Sequence, residues 1–171
     1  MLCHVRRATM EDYEAICAIY AQADAYHQVP LPHIFRVDER PARPREFVEQ
    51  SVNDPLRALY VAEVGGRVVG LIYLILREAP NMPMLQPRRY GYVDSIAVLE
   101  DYRGQGIGHA LMATGHAWAR ELGATEMELV VWEFNRPAQA FYASLGYETS
   151  RRTLSKPLLR EDQDDPTVVS G

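Results

Sequence analysis

The sequence predicts an α+β (mixed α/β) layer protein built on one central, mostly antiparallel sheet. Three observations carry that reading. Short apolar and β-branched runs at residues 59–64 and 68–76 flank Gly65-Gly66, a strong strand–turn–strand signal. Segments of helical period lie before and after them, such as Tyr13, Ile16, Cys17 and Tyr20. The length of 171 residues suits one domain with a sizeable core. Together they give the order β-α-α-β-β-β-α-β-α-β.

Residues 2–7 read as a short strand. Thr9 then caps a helix whose first turn carries Glu11 and Asp12. Residues 27–44 turn irregular, because Pro30, Pro32, Pro41 and Pro44 forbid a long helix. A shorter helix covers 45–52 and stops at Asn53-Asp54-Pro55. The hairpin follows, then a loop with Pro80, Pro83 and Pro87, and a strand over 92–98. A glycine turn leads into a helix over 109–122, capped by Gly123. Residues 126–132 read as a strand, 136–144 as a helix closed by Gly146, and 147–154 as a last strand. One domain is expected over 1–157, with 158–171 an acidic, flexible tail.

Composition narrows the function. A net charge of −5 argues against a nucleic-acid binder, which would normally be basic. The two cysteines, Cys3 and Cys17, lie in apolar segments and read as reduced core residues of a cytoplasmic protein. No Cys/His spacing suggests a metal site. No segment reads as a secretory signal, and none approaches the ~20 apolar residues of a membrane span.

The run Arg103-Gly104-Gln105-Gly106-Ile107-Gly108 sits where a strand gives way to a helix. Three glycines at alternate positions leave amides uncovered at a helix N-terminus, a ready phosphate site. A dinucleotide fingerprint needs Gly-x-Gly-x-x-Gly after the first strand, and a P-loop needs Gly-Lys-Ser/Thr; neither spacing is present. A purely structural turn remains the alternative.

Residues 92–108, from Tyr92-Val93-Asp94-Ser95 through the glycine run, closely resemble the acetyl-CoA-binding motif of the GNAT superfamily of N-acetyltransferases. Its core pattern, Gln/Arg-x-x-Gly-x-Gly/Ala, is matched by Arg103, Gly106 and Gly108. A second family motif is matched by Asn135-Arg136-Pro137-Ala138-Gln139-Ala140-Phe141-Tyr142, followed by Leu145-Gly146-Tyr147. The resemblance in element order spans residues 2–154 and implies a GNAT-like acyl-CoA N-acyltransferase fold.

The resemblance implies that acetyl-CoA, the acyl donor, lays its pyrophosphate over the amides of Arg103, Gly104, Gln105, Gly106, Ile107 and Gly108. Its pantetheine arm would pair with the backbone of Ile96, Ala97 and Val98, where an amide would polarise the thioester carbonyl. Asn135 would contact the cofactor, cap the helix after it, or do both. Tyr142 would be the general acid, donating to the departing thiolate. Phe141 and Leu145 at i, i+4 spacing can fill the core and leave Tyr142 to face elsewhere.

Asp94 is the candidate general base, or an anchor for the substrate ammonium. Alternation sets it on the face of Ile96 and Val98 unless a bulge intervenes. In GNAT proteins the loop at 27–40 shapes the acceptor pocket, which points to His27, His33 and Phe35, with Trp132 on the opposite wall. The activity implied is direct acetyl transfer to a primary amine of a small molecule or peptide. The alternatives are a non-catalytic acyl-CoA-binding module and a longer acyl donor. Relatives are often homodimers.

Overall fold

The computed structural model describes residues 2–36 and 41–158. The acidic tail lies outside the described residues from position 159 onward, as does the 37–40 end of the expected acceptor loop. The chain packs as two compact units, Met1–Phe134 and Asn135–Gly171.

In the first unit, β1 (Cys3–Arg7), β2 (Arg57–Val64), β3 (Arg67–Glu78), β4 (Arg89–Val98) and β5 (Glu126–Leu129) form one sheet in that order. Neighbours are antiparallel except β4 and β5, which run parallel. A parallel pair needs a crossover, supplied here by the helix α3 (Ile107–Glu121). The β2–β3 turn is Gly65-Gly66 with φ of 59° and 78°, the left-handed pair a tight hairpin requires.

Helices α1 (Tyr13–Gln28) and α2 (Arg45–Asn53) cover one face of the sheet. Ile16, Ile19 and Tyr20 of α1 and Val48 of α2 pack there on Leu59, Val61, Leu71 and Tyr73, all buried. The alternate residues Ile72 and Leu74 meet Gly115 of α3 on the other face. The central strand β3 is therefore apolar on both sides, and its near-continuous hydrophobic run reads accordingly. Burial of each large side chain contributes roughly 1.5–3 kcal/mol.

A 3-10 turn at Met10–Asp12 precedes α1, with Thr9 in the N-cap position as the sequence suggests. Asp12 accepts from the Thr9 amide at 2.9 Å and from both Arg6 guanidinium tips at 2.8 Å, tying α1 to β1. Both cysteines are free and half-buried, not core residues in full.

In the second unit, α4 (Arg136–Ser144) ends at Gly146, whose φ is 84°. The sequence reading is corrected most at two strands, while β4 starts three residues and α3 two residues earlier than read. Residues 147–158 form no strand: between Tyr147 and Leu154 every side chain is polar and exposed, so no apolar alternation holds them to a sheet. The strand expected over 126–132 ends at Leu129, and Val130 is 70% exposed.

Candidate active site

The glycine turn begins on a short 3-10 turn, Glu100–Tyr102. Its backbone is held by Tyr102 N–H to Leu99 O at 2.9 Å and Arg103 N–H to Glu100 O at 3.1 Å. Gly104 and Gly106 then adopt φ of 74° and 80°, and Gly106 is the N-cap of α3. A Cβ at either position would meet no atom within 4 Å, so backbone conformation rather than space demands glycine there. The first intrahelical bond runs from Ala110 N–H to Gly106 O at 3.1 Å. The amides of Ile107 and Gly108 precede it and have no intrahelical acceptor.

Side chains that could cover this cradle fold back instead. Arg103 Nε donates to Val98 O at 3.0 Å, and Gln105 Nε2 donates to Asp101 O at 3.2 Å. Glu100 and Asp101 are exposed. The result is a run of backbone N–H groups at the positive end of a 15-residue helix, suited to an anion.

Just upstream, β4 is paired on both edges only as far as Val93, which lies opposite Leu129. Ser95, Ile96, Ala97 and Val98 continue the ladder with β3, against Tyr73, Ile72, Leu71 and Gly70, but β5 no longer follows. Beyond Val93 that edge of β4 has no strand partner among the described residues, and at its far end Val98 O accepts from Arg103 Nε. An extended, amide-bearing ligand can add there as a strand does.

The β3–β4 register shifts where this opening starts. Leu74 faces Val93 and Tyr73 faces Ser95, so Asp94 is the extra residue of a β-bulge. The alternation that grouped Asp94 with Ile96 and Val98 does not hold, because the bulge inserts one residue between the two registers. Ser95 faces α1, where its hydroxyl lies 2.7 Å from the buried Tyr20 hydroxyl. Asp94 is exposed at the same end of that face, within the fields of Arg77, Arg43 and Arg57. Desolvation pushes its carboxyl above the usual range, against the pull of those three guanidiniums.

Arg43 stacks on the Tyr20 ring at 3.9 Å and is paired with Asp24 at 2.8 Å. Burial raises the Tyr20 phenol well above its ordinary value, so it stays protonated. Tyr20, Arg43 and Ser95 brace the bulge. Tyr20 reads in sequence as helix-face core, and its polar end is legible only once β4 lies opposite.

Of the four residues assigned to the acceptor pocket, three come together. The rings of His27 and Phe35 are 5.3 Å apart, and Phe35 meets Trp132 edge-on at 5.8 Å. Tyr26 and Phe134, which the sequence reading missed, complete the cluster, each within 6.0 Å of a neighbour. Their signal was an aromatic adjacent to His27 and another two places past Trp132. His33 is exposed and makes none of these ring contacts. His27 Nδ1 donates to Ala23 O at 2.7 Å, which fixes its orientation at the end of α1.

In the second unit, Asn135 caps α4, its Oδ1 accepting from Ala138 N–H at 3.2 Å. Tyr142 lies half-buried beside Phe141 and Tyr147, with ring centroids 5.3 and 5.9 Å away. Burial pushes its phenol up to about 12. Among the described residues no group of three His, Cys, Asp or Glu could hold a metal ion. No described helix is long and apolar enough to cross a membrane.

Comparison with known proteins assigns residues 18–147 to the pattern of the Acetyltransferase (GNAT) family. An N-alpha-acetyltransferase of Sulfurisphaera tokodaii is 35% identical over 84% of this chain and 79% of its own length. A mycothiol acetyltransferase of Saccharomonospora viridis is 32% identical over 81% of this chain, which spans only 43% of that relative. Among solved structures, a mutant BH1408 protein from Bacillus halodurans superposes with a TM-score of 0.87 at 28% identity, covering 91% of this chain and 99% of that one.

Proposed function

From the premise that this chain belongs to the acetyltransferase (GNAT) family, we propose that it transfers acetyl from acetyl-CoA directly to a primary amine. One observation carries the proposal. The left-handed glycine cradle at the start of α3 and the β4 edge left without a strand partner beyond Val93 adjoin in sequence and space, with Arg103 Nε bonded to Val98 O between them. An anion cradle beside an unpaired strand edge suits a ligand that is pyrophosphate at one end and a chain of amides further on.

The amides at 104–108 hold the pyrophosphate, the Arg103 amide being taken by Glu100 O, and the edge of Ile96, Ala97 and Val98 aligns the arm. A backbone amide near Val98 stabilises charge developing on the thioester oxygen. Asp94 takes a proton from the incoming ammonium or fixes it by charge. Tyr142, kept protonated by burial, donates to the departing thiolate. Asn135 sets the start of the helix that carries Tyr142. His27, Phe35 and Trp132 line the acceptor side; the exposed His33 is left out of that wall. The two relatives' names differ in acceptor, and an alpha-amine, as the first name has it, is one class for the panel below.

Release of free thiol from acetyl-CoA across a panel of amines and peptides tests the reading. Wild-type protein should turn over, and Tyr142→Phe should lose about 10²–10⁴-fold in kcat with CoA affinity unchanged. CoA binding without turnover by any amine would make the protein an acyl-CoA-binding module instead. Turnover only with longer acyl donors would correct the donor and keep the chemistry.

A further inference from the structure

At the end of the α1/α2 face, β3 and β4 place a basic and an acidic group near each other without joining them. Register sets Ile75 opposite Tyr92 and Arg77 opposite Tyr90, so Arg77 is the diagonal neighbour of Tyr92. Its guanidinium carbon lies over that ring, 3.5 Å from the centroid. Stacking of this kind fixes the plane of an arginine while leaving its edge donors free to meet a planar or tetrahedral acid.

The neighbouring arginines are engaged. Arg43 is held by Asp24, and Arg57 by Asp54 and the Tyr73 hydroxyl. Among the described residues, no ion pair involves Arg77 or Asp94. Arg77 nonetheless exerts the strongest attraction on the Asp94 carboxylate of the three. Tyr92, on which Arg77 stacks, lies two positions before the bulge residue Asp94, so two opposite charges share one end of the sheet face without forming an ion pair. A ligand carrying the reverse charges fits between them.

We propose that Arg77, stacked on Tyr92, binds an acid group of the acceptor while Asp94 receives its ammonium, so that the substrate is an amine bearing a carboxylate or phosphonate. This rests on Asp94 facing the acceptor amine in the proposed function. It makes Arg77 a specificity-determining residue and disfavours polyamines, whose second cation would meet Arg77.

The test uses matched pairs: alanine and alaninamide, β-alanine and β-alaninamide, 2-aminoethylphosphonate and ethylamine. Binding to the CoA-saturated protein is measured by calorimetry, and turnover with acetyl-CoA by thiol release. In the wild type the acid of at least one pair should bind about ten- to a hundredfold tighter than its uncharged partner. Arg77→Met should bring that ratio close to one, raising KM for the acid with kcat within a few-fold. Arg77→Lys, which keeps the charge but not the fork, should fall between. Melting temperatures of both variants confirm that they are folded. Equal binding within every pair, no binding of any acid, or an equal loss for both members in Arg77→Met would overturn the proposal. Turnover without acid preference sinks it and spares the acetyltransferase reading; acid preference without turnover does the reverse.

Discussion

At the scale of single residues, Asp94 shows how one inserted position changes a side chain's role. The bulge sets it beside Ser95 and the Arg43, Arg57 and Arg77 fields, not beside Ile96 and Val98. As a base it must be ionised, and desolvation by the surrounding groups raises its pKa although the side chain reaches the surface. The acidic limb of kcat/KM should therefore lie above the ordinary carboxylate range. Asp94→Asn should remove that limb and lower kcat/KM by about 10²-fold. The stability effect has the opposite sign. A carboxyl whose folded pKa is raised holds its proton more tightly when folded, so its ionised form weakens the fold above that pKa and costs nothing below the unfolded value. Urea midpoints should show the variant more stable than wild type at neutral pH and no more stable near pH 3. A variant less stable at neutral pH would mean that the three arginines outweigh desolvation.

At the scale of elements, the joint between β1 and α1 depends on a nearly buried carboxylate. Asp12 is 7% exposed and receives Arg6 twice and the Thr9 amide once. Arg6 first, then the Thr9 amide, hold its pKa below the usual value despite desolvation. A depressed folded pKa gives stability that is present above the unfolded value and lost as pH falls through the folded one. Asp12→Asn should cost about 2 kcal/mol at pH 7, less than a fully buried pair because Arg6 keeps partial contact with water and with Glu63. The cost should shrink progressively below about pH 4 in urea titrations. The sequence displays Thr9 and the acidic turn, since capping is local, but not Arg6, whose approach needs the chain folded. Legibility follows the same division elsewhere. The hairpin and α4 rest on local signals and stand where they read, and α3 differs chiefly in starting two residues early, at Ile107. The end of β5 does not, because Val130, Val131 and Trp132 are apolar enough for a strand, and only the missing ladder partner stops it. The register shift at Asp94 is invisible for the same reason: pairing with β3 decides it. Residues 148–153 carry no apolar alternation, so nothing local in them specifies the strand expected over 147–154.

At the scale of the whole molecule, the net charge of −5 repels an anionic donor, so binding must come from local fields. The cradle at the start of α3 is the site with that polarity, and its contribution can be read through global unfolding. A ligand that binds only the folded chain stabilises it by RT ln(1 + [L]/Kd), about 2.7 kcal/mol at a hundred times Kd. CoA should raise the wild-type unfolding free energy by that amount. Gly106→Ala puts a side chain on a residue with φ of 80° and no neighbour within 4 Å. Without ligand it should lose roughly 1–2 kcal/mol, the strain of a left-handed non-glycine residue. With CoA at the wild-type concentration, the gain should fall well short of 2.7 kcal/mol, because a strained left-handed residue at the N-cap disturbs the backbone whose amides must meet phosphate. Inorganic pyrophosphate should repeat the pattern more weakly. If Gly106→Ala keeps the full gain from CoA, the strain and the binding are separate, and the anion sits elsewhere than on this turn.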